Sequence, residues 1–241
     1  MPRLFLPLAV HPGAKLELPV TAAHRLREVL RLREGDLLTV FDGTGSEHYA
    51  EVSLCTREGV EVVVGEPTPA LRESPLTIVL AQGLARGERM DYTLQKAVEL
   101  GVTQIVPLAS ERSQVKLDAV RAARRLEHWR AIIIHACEQS GRTRVPELSE
   151  VVGLAEFIAM DRAEARLTLA PSGGASLQSL PANLRSYSLV IGPEGGLSGN
   201  ELALLGAHGY QSIRLGPRTL RTETAALVAL AALQALRGDL L

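Results

Sequence analysis

The sequence is poor in the residues and segments that mark disulfide-rich, metal-bound or membrane proteins. Its 241 residues include two cysteines, Cys55 and Cys137, too few for a disulfide framework or, alone, for a structural zinc site. No apolar run approaches the roughly 20 residues that a bilayer span needs. The longest, residues 225–236, is short, rich in alanine and interrupted by Gln234. The N-terminus does not resemble a secretory leader, so we expect no membrane partner and a cytoplasmic location.

Several catalytic motifs are also missing. The chain has no phosphate-binding loop of the Gly-x-x-x-x-Gly-Lys-[Ser/Thr] type, and residues 43–48 fail the dinucleotide-binding fingerprint at its last position. The His-Glu-x-x-His motif of zinc proteases and the Gly-x-Ser-x-Gly motif of hydrolases do not occur. His128 and His135 lie two helical turns apart without an acidic or cysteine partner at suitable spacing. We therefore predict that the protein holds no metal.

Lysine is scarce, with three residues against 23 arginines. A GC-rich genome is the simplest cause, although the planar guanidinium of arginine also suits phosphates and base edges. The net charge of −1 gives the whole chain no strong attraction for polyanions. Residues 1–70 carry seven basic and ten acidic residues. Any nucleic-acid contact there would need a localised basic patch.

The chain divides into two parts by its pattern of apolar residues. Hydrophobic residues make up 46% of the sequence, which is typical of a globular protein, and the length favours two domains. Short β-branched or alternating runs and one helical stretch in residues 1–70 predict a small β-barrel. The predicted strands span residues 4–10, 36–42, 48–54 and 60–65, and the helical stretch spans residues 24–32. Residues 65–75, with three prolines, predict a linker.

After Pro75, strands alternate with helices, which is typical of an α/β fold with a parallel sheet. The predicted strands are residues 76–81, 104–107, 166–170, 188–192 and 212–216. The predicted helices are residues 89–100, 118–138, 154–160, 200–207 and 222–236. Ligands of open parallel sheets bind outside the carboxyl ends of the strands. We therefore expect the chemistry at the turns after Ala170, Ile191 and Leu215.

The turn after Ile191 reads Gly-Pro-Glu-Gly-Gly. The missing Cβ atoms of its glycines would let a ligand approach the backbone N–H groups closely, although a tight strand-to-helix turn alone would need the same residues. Ser198, with Glu201 three residues later, predicts a capping box at the start of the next helix.

The segment after Arg214 reads Leu-Gly-Pro-Arg-Thr-Leu-Arg-Thr-Glu-Thr-Ala-Ala. It repeats the Gly-Pro turn and places Arg218, Arg221 and Glu223 at a helix entrance. The simpler alternative is that Thr222 caps the helix while the arginines are solvated. The helix that follows is apolar nearly all round, so it must be covered on more than one side. It either forms the centre of the domain or packs against a second subunit, and we expect a homodimer.

These segments, in this order, resemble the RsmE family, the 16S ribosomal RNA uracil-N3 methyltransferases of the SPOUT superfamily. The resemblance rests on both Gly-Pro segments and on residues 99–101, 110–113 and 136–142, and it extends to residues 1–5 and 24–31. It implies a parallel-sheet SPOUT methyltransferase domain with a C-terminal trefoil knot at residues 71–241. It also implies a PUA-like RNA-binding β-barrel at residues 1–70. The implied cofactor is S-adenosylmethionine, and the implied partners are 16S ribosomal RNA in the small ribosomal subunit and a second copy of the chain.

The resemblance also implies which residues form the sites. The cofactor-binding residues would be Ala170, Pro171, Ile191, Gly192, Pro193, Glu194, Gly195, Gly196, Leu215, Gly216, Leu220, Arg221, Thr222 and Thr224. The RNA-binding candidates are Arg3, His24, Arg31, Arg112, Arg142 and Arg144, although any single surface arginine could merely be solvated.

Methylation at N3 requires the uracil nitrogen to be made more nucleophilic. The N3–H group of uracil is a poor nucleophile because its lone pair is delocalised, so transfer needs deprotonation or a lowered pKa at N3, together with close alignment. Our hypothesis assigns the stabilising charge to Arg221 and the role of proton acceptor to Glu223. Glu223 could equally hold the loop through hydrogen bonds.

Two other functions fit parts of the sequence. A SPOUT methyltransferase acting on transfer RNA or on a ribose hydroxyl would share the fold and cofactor, but residues 110–113 and 136–142 favour the RsmE interpretation. A non-catalytic RNA-binding factor of ribosome assembly could retain an old cofactor pocket. The two intact Gly-Pro turns argue against that second alternative.

Overall fold

The computed structural model describes residues 1–69, 72–114, 118–169 and 174–241. It divides into two compact units. The first comprises Met1–Glu73 and Cys137–Val145, and the second comprises Ser74–Ala136 and Pro146–Leu241. The association of residues 137–145 with the first unit is a feature that the linear sequence pattern did not indicate.

The first unit contains a five-stranded sheet. Its strands are β1 (Arg3–Phe5), β2 (Lys15–Glu17), β3 (Leu37–Phe41), β4 (Glu47–Cys55) and β5 (Val60–Pro67). Their order is β1-β3-β4-β5-β2, with β1 parallel to β3 and the other pairs antiparallel. Side chains alternate between the two faces of each strand, so Leu38, Val52 and Val62 are fully buried in one core. Strand β2 was not predicted because its three residues contain a single apolar side chain.

The helical stretch of the first unit starts earlier than predicted. Helix α1 (Val20–His24) follows Pro19, whose φ of −53° suits a helix entrance, and continues as a π-helical turn over Arg25–Val29. It ends because Arg31 adopts a left-handed conformation with φ of 56°. The Leu32 N–H then bonds back to the carbonyl of Leu26 at 3.1 Å.

The second unit contains a parallel sheet, as the sequence predicted. Its strands are β6 (Thr77–Gly83), β7 (Gln104–Ala109), β8 (Glu147–Leu148), β9 (Val152–Gly153), β10 (Ala165–Leu169), β11 (Ser186–Ile191) and β12 (Gln211–Ile213). The order is β12-β10-β11-β6-β7-β8, with β9 also paired to β7, and every pair is parallel. Apolar side chains of the central strands, such as Ile78, Leu80 and Leu189, are fully buried.

Helices lie between these strands, and the last helix follows β12. They are α2 (Glu88–Glu99), α3 (Ala119–Ser140), α4 (Leu154–Met160), α5 (Gly199–Ala207) and α6 (Thr222–Arg237). Helix α6 packs against α2 and β11, which buries Ala226, Ala229 and Leu230, while Val228 stays 39% exposed. Within the described part of the chain, no helix is long and apolar enough to cross a membrane.

Strand β12 has a neighbour on each side. It pairs with β10 along one edge, and on the other Ala175 forms a parallel bridge with Ile213. The Ala175 N–H donates to the Ser212 carbonyl at 2.9 Å, and the Arg214 N–H donates to the Ala175 carbonyl at 3.0 Å. A Cβ atom on Gly174 would lie 2.8 Å from the Ser212 carbonyl oxygen, so only glycine fits this approach.

Candidate active site

A cavity of about 640 Å³ lies at the carboxyl ends of β10, β11 and β12. This volume is typical of a small-molecule site, which spans about 300–1,000 Å³. Leu169, at the end of β10, contributes to the wall, as do both Gly-Pro turns that the sequence analysis singled out. The apolar wall comprises Leu169, Ile191, Leu197, Leu202, Leu215, Leu220 and Ala225. The predicted cofactor residues Ala170 and Pro171 lie outside the described residues.

The glycine-rich turn folds back on itself at the cavity wall. The Gly196 N–H donates to the Pro193 carbonyl at 2.8 Å, and Gly196 has φ of +66°. A Cβ atom on Gly192 would lie 2.7 Å from the Leu197 nitrogen and 2.8 Å from the Gly196 carbonyl carbon. No side chain fits at position 192 in this turn, and Gly192, Gly195 and Gly196 contribute backbone alone to the cavity wall.

The predicted capping box is confirmed and has a second role. The Ser198 hydroxyl accepts the Glu201 N–H at 3.1 Å, and the Glu201 carboxylate accepts the Ser198 N–H at 2.7 Å. The other oxygen of Glu201 accepts the Glu111 N–H at 2.9 Å. Arg112 then donates to the Gly195 carbonyl at 3.1 Å. Residues 111–112 are thereby held against the glycine-rich turn.

Thr222 does not cap helix α6, contrary to the simpler alternative from the sequence. It is the first helical residue, and Arg221 occupies the N-cap position without a side-chain cap. The buried Thr222 hydroxyl donates to the Gly192 carbonyl at 2.6 Å and accepts from Gln82 at 2.9 Å. These bonds fix the amino end of α6 to the glycine-rich turn. Thr224, a predicted cofactor residue, is exposed and does not line the cavity.

The cavity carries charges of both signs. Four arginines and two glutamates line it, namely Arg89, Arg112, Arg218, Arg221, Glu194 and Glu223. Burial alone would raise the pKa of Glu194, but hydrogen bonds from the Arg86 N–H and the Arg89 guanidinium outweigh it and hold that pKa below its usual value. These bonds to the carboxylate measure 2.9 Å and 3.0 Å. Glu194 is therefore an anchor of the turn.

Arg89 and Gln82 also belong to the site, although the sequence did not predict them. Arg89 lies in the first turn of α2 and also approaches Glu223, with 4.0 Å between Nε and Oε1. Gln82 lies near the end of β6, and its polar side chain directly after the apolar residues 78–81 was the available signal. Neither residue belongs to a Gly-Pro segment. Gln82 reaches the site through the pairing of β6 with β11, and Arg89 reaches it from the first turn of α2.

Two predicted RNA contacts have internal roles instead. Arg3 pairs with Glu47, donates to the Cys137 carbonyl at 2.6 Å and lies 4.7 Å from the Phe41 ring centroid. Arg142 is 5% exposed and donates to the Glu73 carboxylate at 2.8 Å and 3.0 Å. Guanidinium groups committed in this way are not free for a phosphate, which argues against an RNA contact by either residue. The remaining candidates, His24, Arg31, Arg112 and Arg144, are exposed.

The described residues contain no group of three or more His, Cys, Asp or Glu side chains that could hold a metal ion. The sequence showed no acidic partner for His128 on its own helix, α3, but the structure supplies one from helix α2. Its Nε2 atom lies 2.9 Å from the Asp91 carboxylate of α2.

Comparison with known proteins gives a consistent result. Residues 72–234 match a family model described as an RNA methyltransferase domain. A methyltransferase from Legionella pneumophila, solved with bound S-adenosylmethionine, is 42% identical, with a TM-score of 0.94 and 98% of each chain covered. A ribosomal RNA small subunit methyltransferase E from Neisseria gonorrhoeae, also solved with S-adenosylmethionine, is 39% identical with a TM-score of 0.94 over 100% of both chains. The Buchnera aphidicola (Schizaphis graminum) protein of the same name is 32% identical over 100% of this chain and 98% of its own. The cavity, the two Gly-Pro turns and these full-length matches place the chain in the family of ribosomal RNA small subunit methyltransferase E.

Proposed function

We propose that this protein transfers a methyl group from S-adenosylmethionine to N3 of a uridine in the 16S RNA of the small ribosomal subunit. The observation that carries the proposal is the cavity at the ends of three parallel strands, walled by two Gly-Pro turns. The relatives that contain S-adenosylmethionine match this chain along nearly its whole length, which supports the same cofactor here.

The residues present fit that cofactor. Gly192, Gly195 and Gly196 line the cavity without side chains, so a ligand can approach the backbone of the turn closely. Ile191, Leu197 and Leu220 supply apolar walls for an adenine ring. The proposed binding residues are therefore the described members of the predicted set, except Thr224. Thr222 contributes by positioning, since its hydroxyl is already bonded within the protein.

The chemistry at N3 follows from the charged residues of the cavity. S-adenosylmethionine supplies an electrophilic methyl group on a sulfonium. Glu223 is the proposed acceptor of the N3 proton, and Arg221 stabilises the negative charge that develops on the base oxygens. Both residues line the cavity. The positive end of the α6 dipole lies at the same place and favours the same anion.

We also propose that residues 71–241 form a SPOUT domain with a trefoil knot. The contacts of Ala175 support it: the chain leaves β10 on one side of β12 and pairs with the opposite edge of β12 at Ala175, before entering β11. The segment after β12 then reaches Gly192 through Thr222. A crystal structure traced through residues 165–222 tests the knot, and a chain path that unthreads when its ends are pulled would contradict it.

For residues 1–70 we propose a PUA-like RNA-binding barrel, supported by the five-stranded sheet and by the exposed His24 and Arg31.

We further propose a homodimer. Helix α6 is apolar nearly all round yet leaves Leu227, Val228 and Leu236 at least partly exposed, which supports the dimer because such a helix must be covered on more than one side. Light scattering of the purified protein tests the dimer, and a monomeric mass at micromolar concentration would contradict it.

The activity is tested with labelled S-adenosylmethionine and two substrates, small-subunit particles and naked 16S RNA, both lacking the modification. Nucleosides are then identified by mass spectrometry. We expect 3-methyluridine. Another methylated nucleoside would indicate a methyltransferase of different specificity, and cofactor binding without any product would favour the non-catalytic assembly factor.

A further inference from the structure

Arg89 bridges two walls of the cavity. It lies in the first turn of α2 with a side chain that is 45% exposed. Its Nη1 atom donates to Glu194 Oε1 at 3.0 Å, and its Nε atom lies 4.0 Å from Glu223 Oε1. Glu194 belongs to the glycine-rich turn and Glu223 to the first turn of α6. One guanidinium therefore connects the turn proposed to bind the cofactor with the carboxylate proposed to accept the proton.

The two ends of this bridge differ in strength. Glu194 also accepts the Arg86 N–H at 2.9 Å, so the end of the bridge at the glycine-rich turn is fixed. At the other end, the 4.0 Å separation from Glu223 is an ion pair without a hydrogen bond. The electrostatic attraction orients the Glu223 carboxylate and leaves its oxygen lone pairs free to accept a proton.

Arg89 has no counterpart among the other cations of the cavity. Among the residues that the structure describes, Arg89 is the one cation within 4.0 Å of the Glu223 carboxylate. Arg218 and Arg221 line the same cavity but form no such pair. A proton acceptor must come within about 2.6–3.2 Å of its proton, and small errors of placement are costly in rate.

We propose that Arg89 is a positioning residue for methyl transfer. By holding Glu194 with one nitrogen and attracting Glu223 with another, it sets the spacing between the cofactor-binding turn and the proton acceptor. The inference rests on the proposed function and adds a residue from α2, an element outside both Gly-Pro segments. It predicts that loss of Arg89 lowers the rate of transfer more than the affinity for cofactor or RNA.

The test uses Arg89→Met and Arg89→Lys in the full-length protein, with Arg130→Met as the control because Arg130 is exposed on α3 and does not line the cavity. Calorimetry gives the Kd of S-adenosylmethionine, and methyl transfer to small-subunit particles gives kcat and KM. For Arg89→Met we expect kcat to fall roughly a hundredfold, with Kd and KM changed by less than about threefold. Arg89→Lys should recover part of the rate, and Arg130→Met should match the wild type.

A double variant shows whether Arg89 acts through Glu223. We expect Arg89→Met combined with Glu223→Gln to be no slower than Glu223→Gln alone, because residues that act as one unit are not additive. Additive losses would overturn the inference, as would a normal kcat for Arg89→Met or a raised KM with unchanged kcat, which would mark a direct RNA contact. Weaker cofactor binding in both Arg89 variants would also overturn it in favour of a structural role. An inactive wild-type protein would instead refute the proposed function.

Discussion

The Glu223 side chain is 14% exposed and lines the cavity, so its carboxylate can contact a bound substrate directly. We expect Glu223→Gln to lower kcat by about a hundredfold or more, since glutamine keeps the shape of the side chain but cannot take the proton. The Kd of S-adenosylmethionine, measured by calorimetry, should stay within about threefold of the wild-type value. A variant that no longer binds the cofactor would show that Glu223 holds the loop instead.

Gly192 offers a test of the backbone cradle. In Gly192→Ala, the new methyl group would lie 2.7 Å from the Leu197 nitrogen, so the turn must open and the cofactor Kd should rise at least about tenfold. The matched control is Gly206→Ala in helix α5, where a Cβ atom meets nothing within 4 Å. That control should bind the cofactor normally, and its free energy of unfolding should be higher than that of the wild type by about 0.5–1 kcal/mol. Equal cofactor affinities in both variants would contradict the proposed cradle.

Arg31 holds a backbone conformation that arginine disfavours. Because its φ is 56°, Arg31→Gly should raise the free energy of unfolding by about 1 kcal/mol. Arg31→Ala, which removes the same charge but keeps a Cβ atom, should leave it nearly unchanged. Chemical denaturation of the two variants separates backbone strain from charge. Equal free energies of unfolding for Arg31→Gly and Arg31→Ala would show that the backbone at position 31 is not strained.

At the level of elements, Glu194 connects the turn after β11 to the start of α2. Its lowered pKa means that the ionised form is favoured by folding, so this contribution to stability is present above the unfolded value of 4.5. The contribution is lost as the pH falls through the lower folded value. We expect Glu194→Gln to be less stable than the wild type near pH 7 and equally stable in strong acid. Urea denaturation across that range measures the difference, and a gap that persists in acid would exclude the carboxylate as its cause.

The elements that the sequence predicted correctly share a local signal. The runs that became β6, β7 and β11 contain three or more consecutive apolar residues, as expected where both faces of a parallel sheet are covered, and the run that became β10 alternates apolar with polar residues. The short strands β2, β8 and β9 carry no such signal, since two or three residues cannot show a period. They form because neighbouring strands already present free backbone groups.

In the candidate site, too, some features have a local signal in the sequence and others do not. Glycine at position 192 and the capping box at Ser198 follow from local backbone demands, so their roles were visible in the sequence. The partners of Arg3 and Arg142 were not, because Glu47 and Glu73 are distant in the chain and reach these arginines only after folding. Arg89 was missed for the same reason. Long-range ion pairs depend on strand order, which no local pattern encodes.

For the molecule as a whole, RNA binding should depend on salt through a few arginines, since the net charge is only −1. We expect the affinity for 16S RNA to fall with salt, and Arg144→Gln to reduce the slope of log affinity against log salt by about one. Arg57→Gln, another exposed arginine of the same unit, is the control and should leave the slope unchanged. Filter binding at several salt concentrations measures both, and a slope unaffected by Arg144→Gln would remove this residue from the RNA interface.

The pairing of β6 with β11 also limits how early the second unit can fold during synthesis on the ribosome. Val79 is in register with Ser188, and Ser74 donates to Gln234 of α6 across 160 residues. At about 5–20 residues per second, the ribosome takes roughly 5–20 s to make the chain between the two strands. Until then the apolar strand β6 has emerged without the neighbour that covers one of its edges. We expect nascent chains stalled before residue 186 to need chaperone protection, and folding of the second unit to be almost entirely post-translational.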